Sequence, residues 1–529
     1  MPAFIRKKLP FIVVLSCLLL SSIALAAPAA RLVRVHMLSE PSSLDPHKAI
    51  EDVFVLNLFE GLTIYSATDT VAPGMATSWE ASADGLVWTF HLRDASWSDG
   101  TPVTAEDFVY SFRRALDPAT AGPYTSVLSP IAYADEISAG REKDLNKLGV
   151  RALDPHTLRF TLTHPTPWFP ALLVNQTAMP VPRQAIEKWG DQWTSAEHMV
   201  TNGPFALKKW VPLGELDFVR NPHFHDSALV QVDEVDHVLA DDSETTLKRY
   251  EAGEIDTSPV SGRDLSRVRR ERPTELRSVP LLDSIYIVFN MGGPLGADPR
   301  VRRALAMVID RDVLENSIIR GGNTPGYTFV PPGFSGYVLQ RPEWADLRLA
   351  DRIAKARKLL AEAGAPTPLK LHMLAYKLDF VELYAKAIGE MWHAALGAET
   401  ETEINEPRVV DSRLVHHDFE ITVSGWTADY VDPVGFLNIF RSDAAGLNFA
   451  NYANTEYDAL LDRSRIETDP ATRLKLLETA ERLMLNEQPI IPLSYMVDQT
   501  LVSPRLHGWD DAPLSRHPDR FLSIDESGE

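Results

Sequence analysis

The sequence predicts an α/β protein with an added β-containing domain. Strands alternate with helices over most of the 529 residues, the pattern of an α/β class. Two segments, near 70–170 and 200–240, instead carry short strands divided by turn residues. The roughly 500 residues that follow a leader segment exceed one hydrophobic core, so two or three domains are expected.

Residues 1–26 read as that leader. Arg6, Lys7 and Lys8 precede an apolar run over 9–20, and Ala24-Leu25-Ala26 supplies the small-x-small site that signal peptidase accepts. Export to the periplasm with cleavage after Ala26 is expected. The only cysteine, Cys17, lies inside this segment, so the mature chain has no disulfide, zinc-thiolate site or cysteine nucleophile. Val14-Leu15-Ser16-Cys17 is a partial lipoprotein box, but anchoring there would leave an apolar 18–26 on the mature protein and is not expected. Loss of the three leader charges moves the formal net charge from −21 to −24, a field that repels nucleic acid and anionic membranes. No later segment approaches the roughly 20 apolar residues of a membrane span.

In chain order, Leu32, Val33, Val35 and Met37 mark a first strand, and a helical run ends in LFEGL at 58–62. Trp88, Phe90 and Leu92 alternate as a strand, with Asp84-Gly85 and Asp99-Gly100 as turns. Thr104 caps a helix whose first turn carries Glu106 and Asp107 and whose buried face is Phe108, Val109, Phe112 and Ala115. A hairpin is expected over 150–162 about Asp154-Pro155, and a strand pair over 205–220 reaching Asn221-Pro222. A strand over 232–239 and a helix over 243–252 closed by Gly253 follow. Residues 281–290, LLDSIYIVFN, form a nearly continuous apolar strand of the kind buried on both faces. Helices are expected over 300–319, 349–363, 381–396, 456–465 and 469–486, strands over 369–374 and 490–495, and a further strand within the stretch 421–433. No internal repeat or low-complexity linker is present.

No G-x-S-x-G elbow, P-loop, dinucleotide fingerprint or H-E-x-x-H occurs, so no catalytic residue, metal or cofactor is assigned. His223 and His225 fit a surface turn better than a metal site. Adjacent His416 and His417 would face opposite sides of a strand. Asp241 with Asp242, and Glu399 with Glu401 and Glu403, read as solvated acids. Most of the eleven tryptophans belong in a core.

One stretch asks for a partner. In ITVSGWTADYVDP at 421–433, Gly425 removes a side chain beside an apolar strand, and Asp429 sits between Trp426 and Tyr430. Its carboxylate wants a cation, which either another residue or a ligand ammonium can supply.

The runs ATSWE at 76–80, DGLVWTFHLR at 84–93 and WSDGTPVTAEDFVYS at 97–111 resemble the oligopeptide-, dipeptide- and murein-peptide-binding proteins of ABC transporters, solute-binding protein family 5. The resemblance continues through LFEGL at 58–62, RQAIEKWG at 183–190, TNGPF at 201–205, YEAGEID at 250–256, DPRVRRALAMVIDRD at 298–312 and GWTADY at 425–430. It implies a two-lobed periplasmic-binding-protein fold of class II, cluster C type, with an extra third domain and the ligand buried in the interlobe cleft. By resemblance, domain I holds 27–59, 184–283 and 497–529, domain II 60–183, and domain III 284–496.

The same resemblance implies the site. Gly425, Trp426 and Thr427 would pair through main chain with a peptide added as a strand, opposed by a segment near 49–52 that includes Ala49 and Ile50. Asp429 would take the ligand ammonium, and Tyr124, Tyr495 and Arg320 would line the cleft. The chain departs from the family where Val423, Val381 and Ile319 stand in place of bases that serve the peptide carboxylate, so either Arg320 or another base substitutes, or the ligand differs. The implied protein is a monomeric, non-enzymatic binder that delivers oligopeptides to an inner-membrane permease. A specialised amine-bearing solute such as a murein peptide is the alternative; a secreted hydrolase and a folding assistant are remoter ones.

Overall fold

The computed structural model describes residues 31–37, 40–50, 53–212, 214–239, 242–428, 430–444 and 446–525. The leader with Cys17, the segment 51–52, Asp241 and Asp429 lie outside the described residues.

Three sheets carry the architecture. In the first, Leu32–Met37 runs parallel to Glu234–Leu239, and Glu215–Arg220 and Phe205–Val211 follow in antiparallel order. The second is antiparallel throughout: Ala76–Ala81, Val87–Leu92, Thr157–Thr161 and Val150–Asp154. Its strand Val87–Leu92 buries Trp88, Phe90 and Leu92 and leaves the intervening residues half-buried, as period-two alternation requires. The helix Ala105–Leu116 packs beneath it. The N–H and the hydroxyl of Thr104 both donate to the Asp107 carboxylate, at 2.7 and 2.9 Å, while Phe108, Val109, Phe112 and Ala115 are buried.

The third sheet has seven strands, ordered Thr257–Pro259, Ile490–Val502, Leu276–Phe289, Ile421–Thr427, Lys370–Tyr376 and Glu399–Asn405, with Thr324–Pro325 also pairing on Ile490–Val502. Residues 282–290 are buried without interruption. Ile285, Ile287 and Phe289 enter one apolar core with Ile421, Val423, Val381 and Trp392. Leu282, Tyr286 and Val288 enter another with Phe329, Phe436 and Tyr457. The apolar run over 281–290 is therefore a strand covered on both faces. A further continuous core joins both smaller sheets to Val502, Leu506 and Leu522.

The two longest strands, Leu276–Phe289 and Ile490–Val502, pair in two blocks. Leu276 to Pro280 face Val497 to Leu501, Ser284 onward face Tyr495 to Ile490, and the register shifts in between.

Three sequence expectations change. The helix expected over 300–319 is broken: Pro299–Met307 ends, Asp310 caps Arg311–Val313 through its side chain, and a wider turn, Leu314–Ile319, follows. The cause is Arg311, only 1% exposed, whose guanidinium turns inward to donate to Pro492 O at 2.9 and 2.7 Å and to the Ala306 and Ile309 carbonyls at the helix end. Those carbonyls lose their helical donors and gain a charged one. Second, Glu399, Glu401 and Glu403 are exposed, but on an edge strand, Glu399–Asn405, parallel to Lys370–Tyr376. Third, His416 and His417 do not lie on a strand; His416 ends the helix Pro407–Val415, and His417 has φ +54°. His223 and His225 do fall in a turn, where the half-buried His225 meets Glu60 at 2.6 Å and Arg93 at 2.8 Å.

Glu481, on the helix Pro470–Glu487, shows what burial does to an acid here. It is fully buried and accepts the Phe329 and Val330 N–H groups and the Tyr337 hydroxyl, each at 2.8 Å. Burial nevertheless pushes its carboxyl from 4.5 up to about 7. A raised folded-state value means that this group's contribution to stability is complete below about pH 4.5 and is lost as pH rises through about 7. Glu481→Gln should therefore remove part of the fall in Tm between those values. A melting profile with the same slope in both proteins contradicts this.

Candidate ligand-binding site

The strand Ile421–Thr427 has two unlike edges. On one side all seven residues pair antiparallel with Asp283 to Phe289. On the other, Lys370–Tyr376 pairs only at Met373 with Ile421 and Leu374 with Thr422. From Val423 to Thr427 no strand among the described residues pairs with that edge. Main-chain donors and acceptors there need another partner.

Gly425 lies in the middle of this open stretch and is exposed. Its φ is not in the left-handed region, and a Cβ placed on it would meet only Ser284 O, at an ordinary 3.8 Å. Neither backbone conformation nor internal packing demands glycine. What the missing side chain leaves free is the approach to the main chain from outside.

The neighbours are fixed from within. Trp426 is half-buried against the core that holds Phe436, and its indole Nε1 has no hydrogen-bond partner. The exposed Thr427 donates its hydroxyl to the Asp283 carboxylate directly across the strand pair. Asp283 is 5% exposed, and burial pushes its carboxyl up to about 6. Past the strand, Tyr430 packs against two cores. Asp432 accepts both arms of Arg473 at 2.7 and 3.0 Å, and that guanidinium lies 4.3 Å over the Trp168 ring.

Ala49 is fully buried, while Ile50 is 56% exposed. Their main chain is already engaged. Gln176 donates to both carbonyls at 3.0 and 3.3 Å, and Ile50 N–H donates to Ser42 Oγ at 2.9 Å. The loop is anchored by Asp45, which receives Arg114 at 3.0 and 2.5 Å. Burial pushes the Asp45 carboxyl up, but Arg114 and His47 outweigh it and hold it below the ordinary carboxylate range. Tyr124 is half-buried at the start of the turn Thr125–Leu128. Two residues earlier, Gly122 abuts His47 O, where a Cβ would come within 2.6 Å. The structure thus brings the Tyr124 turn beside the loop of Ala49 and Ile50.

The remaining positions divide. Tyr495 is buried, and its hydroxyl is held by Thr328 Oγ1 at 2.6 Å and Thr328 N–H at 3.1 Å. Arg320 is exposed in the left-handed region at φ +60° and makes no ion pair among the described residues. Val423 and Val381 share one apolar core, against which Ile319 packs. Beside them stands Glu315, 1% exposed, which accepts the Tyr384 hydroxyl at 2.7 Å and whose carboxyl burial pushes up. Two surface concavities, about 370 Å³ beside Trp210 and about 170 Å³ beside His372 and Arg413, are lined by none of 423–427. Sequence reasoning missed Asp283 and Gln176; the signal for Asp283 was a single acid inside an apolar run.

Comparisons with known proteins agree with this architecture. Residues 70–448 match the model of bacterial extracellular solute-binding proteins, family 5 Middle. The chain is 39% identical over 484 residues to the periplasmic oligopeptide-binding protein OppA of Salmonella typhimurium, covering 89% of this chain and 88% of that protein. It shares its fold with Haemophilus influenzae OppA in complex with RPPGFSPFR, at a TM-score of 0.84 and 30% identity over 94% of this chain and 99% of that one. It shares it also with the Escherichia coli murein tripeptide binding protein MppA, at a TM-score of 0.86 and 31% identity over 94% and 99%. With its mixed α/β, two-lobed architecture, the chain belongs to family 5 of the bacterial extracellular solute-binding proteins.

Proposed function

We propose that this chain is the periplasmic solute-binding component of an ABC importer, which closes on oligopeptides and delivers them to an inner-membrane permease. The observation that carries the reading is the open edge of 423–427 with Gly425 exposed at its centre. A peptide added there satisfies its own backbone groups and those of the edge together, with no demand on its side chains. The similarity to OppA over nearly the whole chain supports the same ligand class. No helix among the described residues is long and apolar enough to cross a membrane, which accords with a binder held outside the permease.

In this reading Gly425, Trp426 and Thr427 pair with the ligand, and Asp429 takes its ammonium. Tyr124, Ile50 and Arg320 face it, while Tyr495 and Ala49 support the walls. The chain acts as a monomer without catalysis. Domain I comprises 27–59, 184–283 and 497–529, domain II 60–183, and domain III 284–496. The register shift between Pro280 and Ser284 supports a hinge at the two crossings between domains I and III. The apolar surroundings of Val423, Val381 and Ile319 favour a second reading within the family, a specialised solute whose far end needs no base. Mass spectrometry of what co-purifies separates the two: a mixture of peptides supports the first reading, and a single modified species supports the second.

Calorimetry with a pool of short peptides should show binding. Gly425→Val should weaken it by roughly 100-fold or more, because the added branch blocks main-chain pairing, while the melting temperature does not fall. Equal binding in wild type and variant contradicts the edge as the site. Asp429→Asn should cost roughly 30-fold for peptides with a free amine and nothing for N-acetylated ones. The same loss for both peptide classes contradicts the ammonium role.

A further inference from the structure

Asp283 is the only acid in the apolar run 281–290, and the protein leaves it half-satisfied. One carboxylate oxygen accepts the Thr427 hydroxyl, while Oδ1 is buried with no hydrogen-bond partner. Among the described residues no cation stands against it, and burial is the cause that raises its carboxyl. A buried carboxylate in this state costs free energy that a cation would recover.

Its direction follows from strand alternation. Ile285, Ile287 and Phe289 share one core with Ile421 and Val423, while Leu282, Tyr286 and Val288 point to the opposite core. Asp283 therefore lies on the face of Ile285, and Gly425 and Thr427 lie on the face of Val423. On that face the pairs run Val423 with Ile287, Gly425 with Ile285 and Thr427 with Asp283. Between the open edge and Asp283 the chain places a glycine at one position and, at the next, a threonine already turned toward the acid. A strand added at the edge would lie two strand spacings, about 10 Å, from the strand of Asp283. Only a long side chain spans that distance, and the gap left by Gly425 gives it a path.

We propose that Asp283 is a specificity-determining acceptor for a basic side chain, lysine or arginine, on a peptide added at the edge of 423–427. This rests on the strand-addition reading above. Neither Asp429, which would hold the ligand's terminal amine, nor main-chain pairing, which ignores side chains, provides such a preference.

The test uses calorimetry on the full mature protein with an all-alanine pentapeptide and two sets of variants, one bearing a single lysine at each position in turn and the other norleucine, its neutral counterpart in length. Wild type should prefer lysine to norleucine by about tenfold or more at one position. Asp283→Asn should reduce that preference, taken as the lysine-to-norleucine ratio within the one variant, to less than about twofold. Asp283→Thr, a second neutral replacement of similar size, should do the same, which guards against misfolding of either variant. If wild type binds the all-alanine peptide without preferring lysine anywhere, or if the preference survives in both variants, this inference is overturned and strand addition stands. If wild type binds none of the peptides, strand addition falls and the inference falls with it.

Discussion

The main-chain hydrogen-bonding groups of 421–427 impose the constraint on which the site depends. One edge of the strand is fully paired with 283–289, and the other loses its partner after Thr422. Unpaired peptide groups tolerate water or a new strand but not burial alone. The same sheet ends at Glu399–Asn405, where Glu399, Glu401 and Glu403 are exposed along the outermost strand. Charges of this kind discourage a further strand. The inner edge carries glycine, tryptophan and threonine instead. In the proposed reading, one sheet thus has an edge whose charges discourage addition and an edge that takes the ligand as a strand.

The strand pair Leu276–Phe289 and Ile490–Val502 links this edge to the rest of the molecule. Its two blocks of pairing serve different cores. Leu501 packs with Leu247 and Val268, whereas Ile285, Ile287 and Ile491 pack with Trp392. The register shift between the blocks leaves 281–283 without regular pairing on one side, a place where a long ladder bends at little cost. Asp283 stands at that junction and bonds the strand of the site through Thr427. In the proposed reading, ligand pairing and lobe closure therefore meet within a few residues. Contacts such as Trp168 beneath Arg473, itself clamped by Asp432, join a segment of the first core to a helix of another.

Much of the fold was legible because local signals and tertiary burial agreed. Alternation at Trp88, Phe90 and Leu92, the acid-capped start at Thr104, and the apolar run at 281–290 each encode one answer. Where they disagreed, the sequence misled. Helical periodicity over 300–319 is real, but Arg311 pairs with one carbonyl of a strand 181 residues away and splits the helix. Glutamates at 399, 401 and 403 have poor strand propensity and become a strand only because Lys370–Tyr376 offers an edge. For the site, resemblance named Gly425, Trp426 and Thr427, but no local pattern shows which strand stops pairing where. Nor could sequence show that Thr328 occupies the Tyr495 hydroxyl, or that Gln176 holds Ala49 and Ile50 across more than a hundred residues.

The central claim is that a ligand's main chain completes the open edge. Amide hydrogen exchange, resolved to single residues over 421–427 with and without a bound peptide, reads this directly. The account predicts that amides already facing 283–289 are protected in both states, whereas those of 423–427 on the open side exchange quickly alone and slow markedly with peptide. Tight peptide binding that leaves exchange at 423–427 unchanged would contradict it.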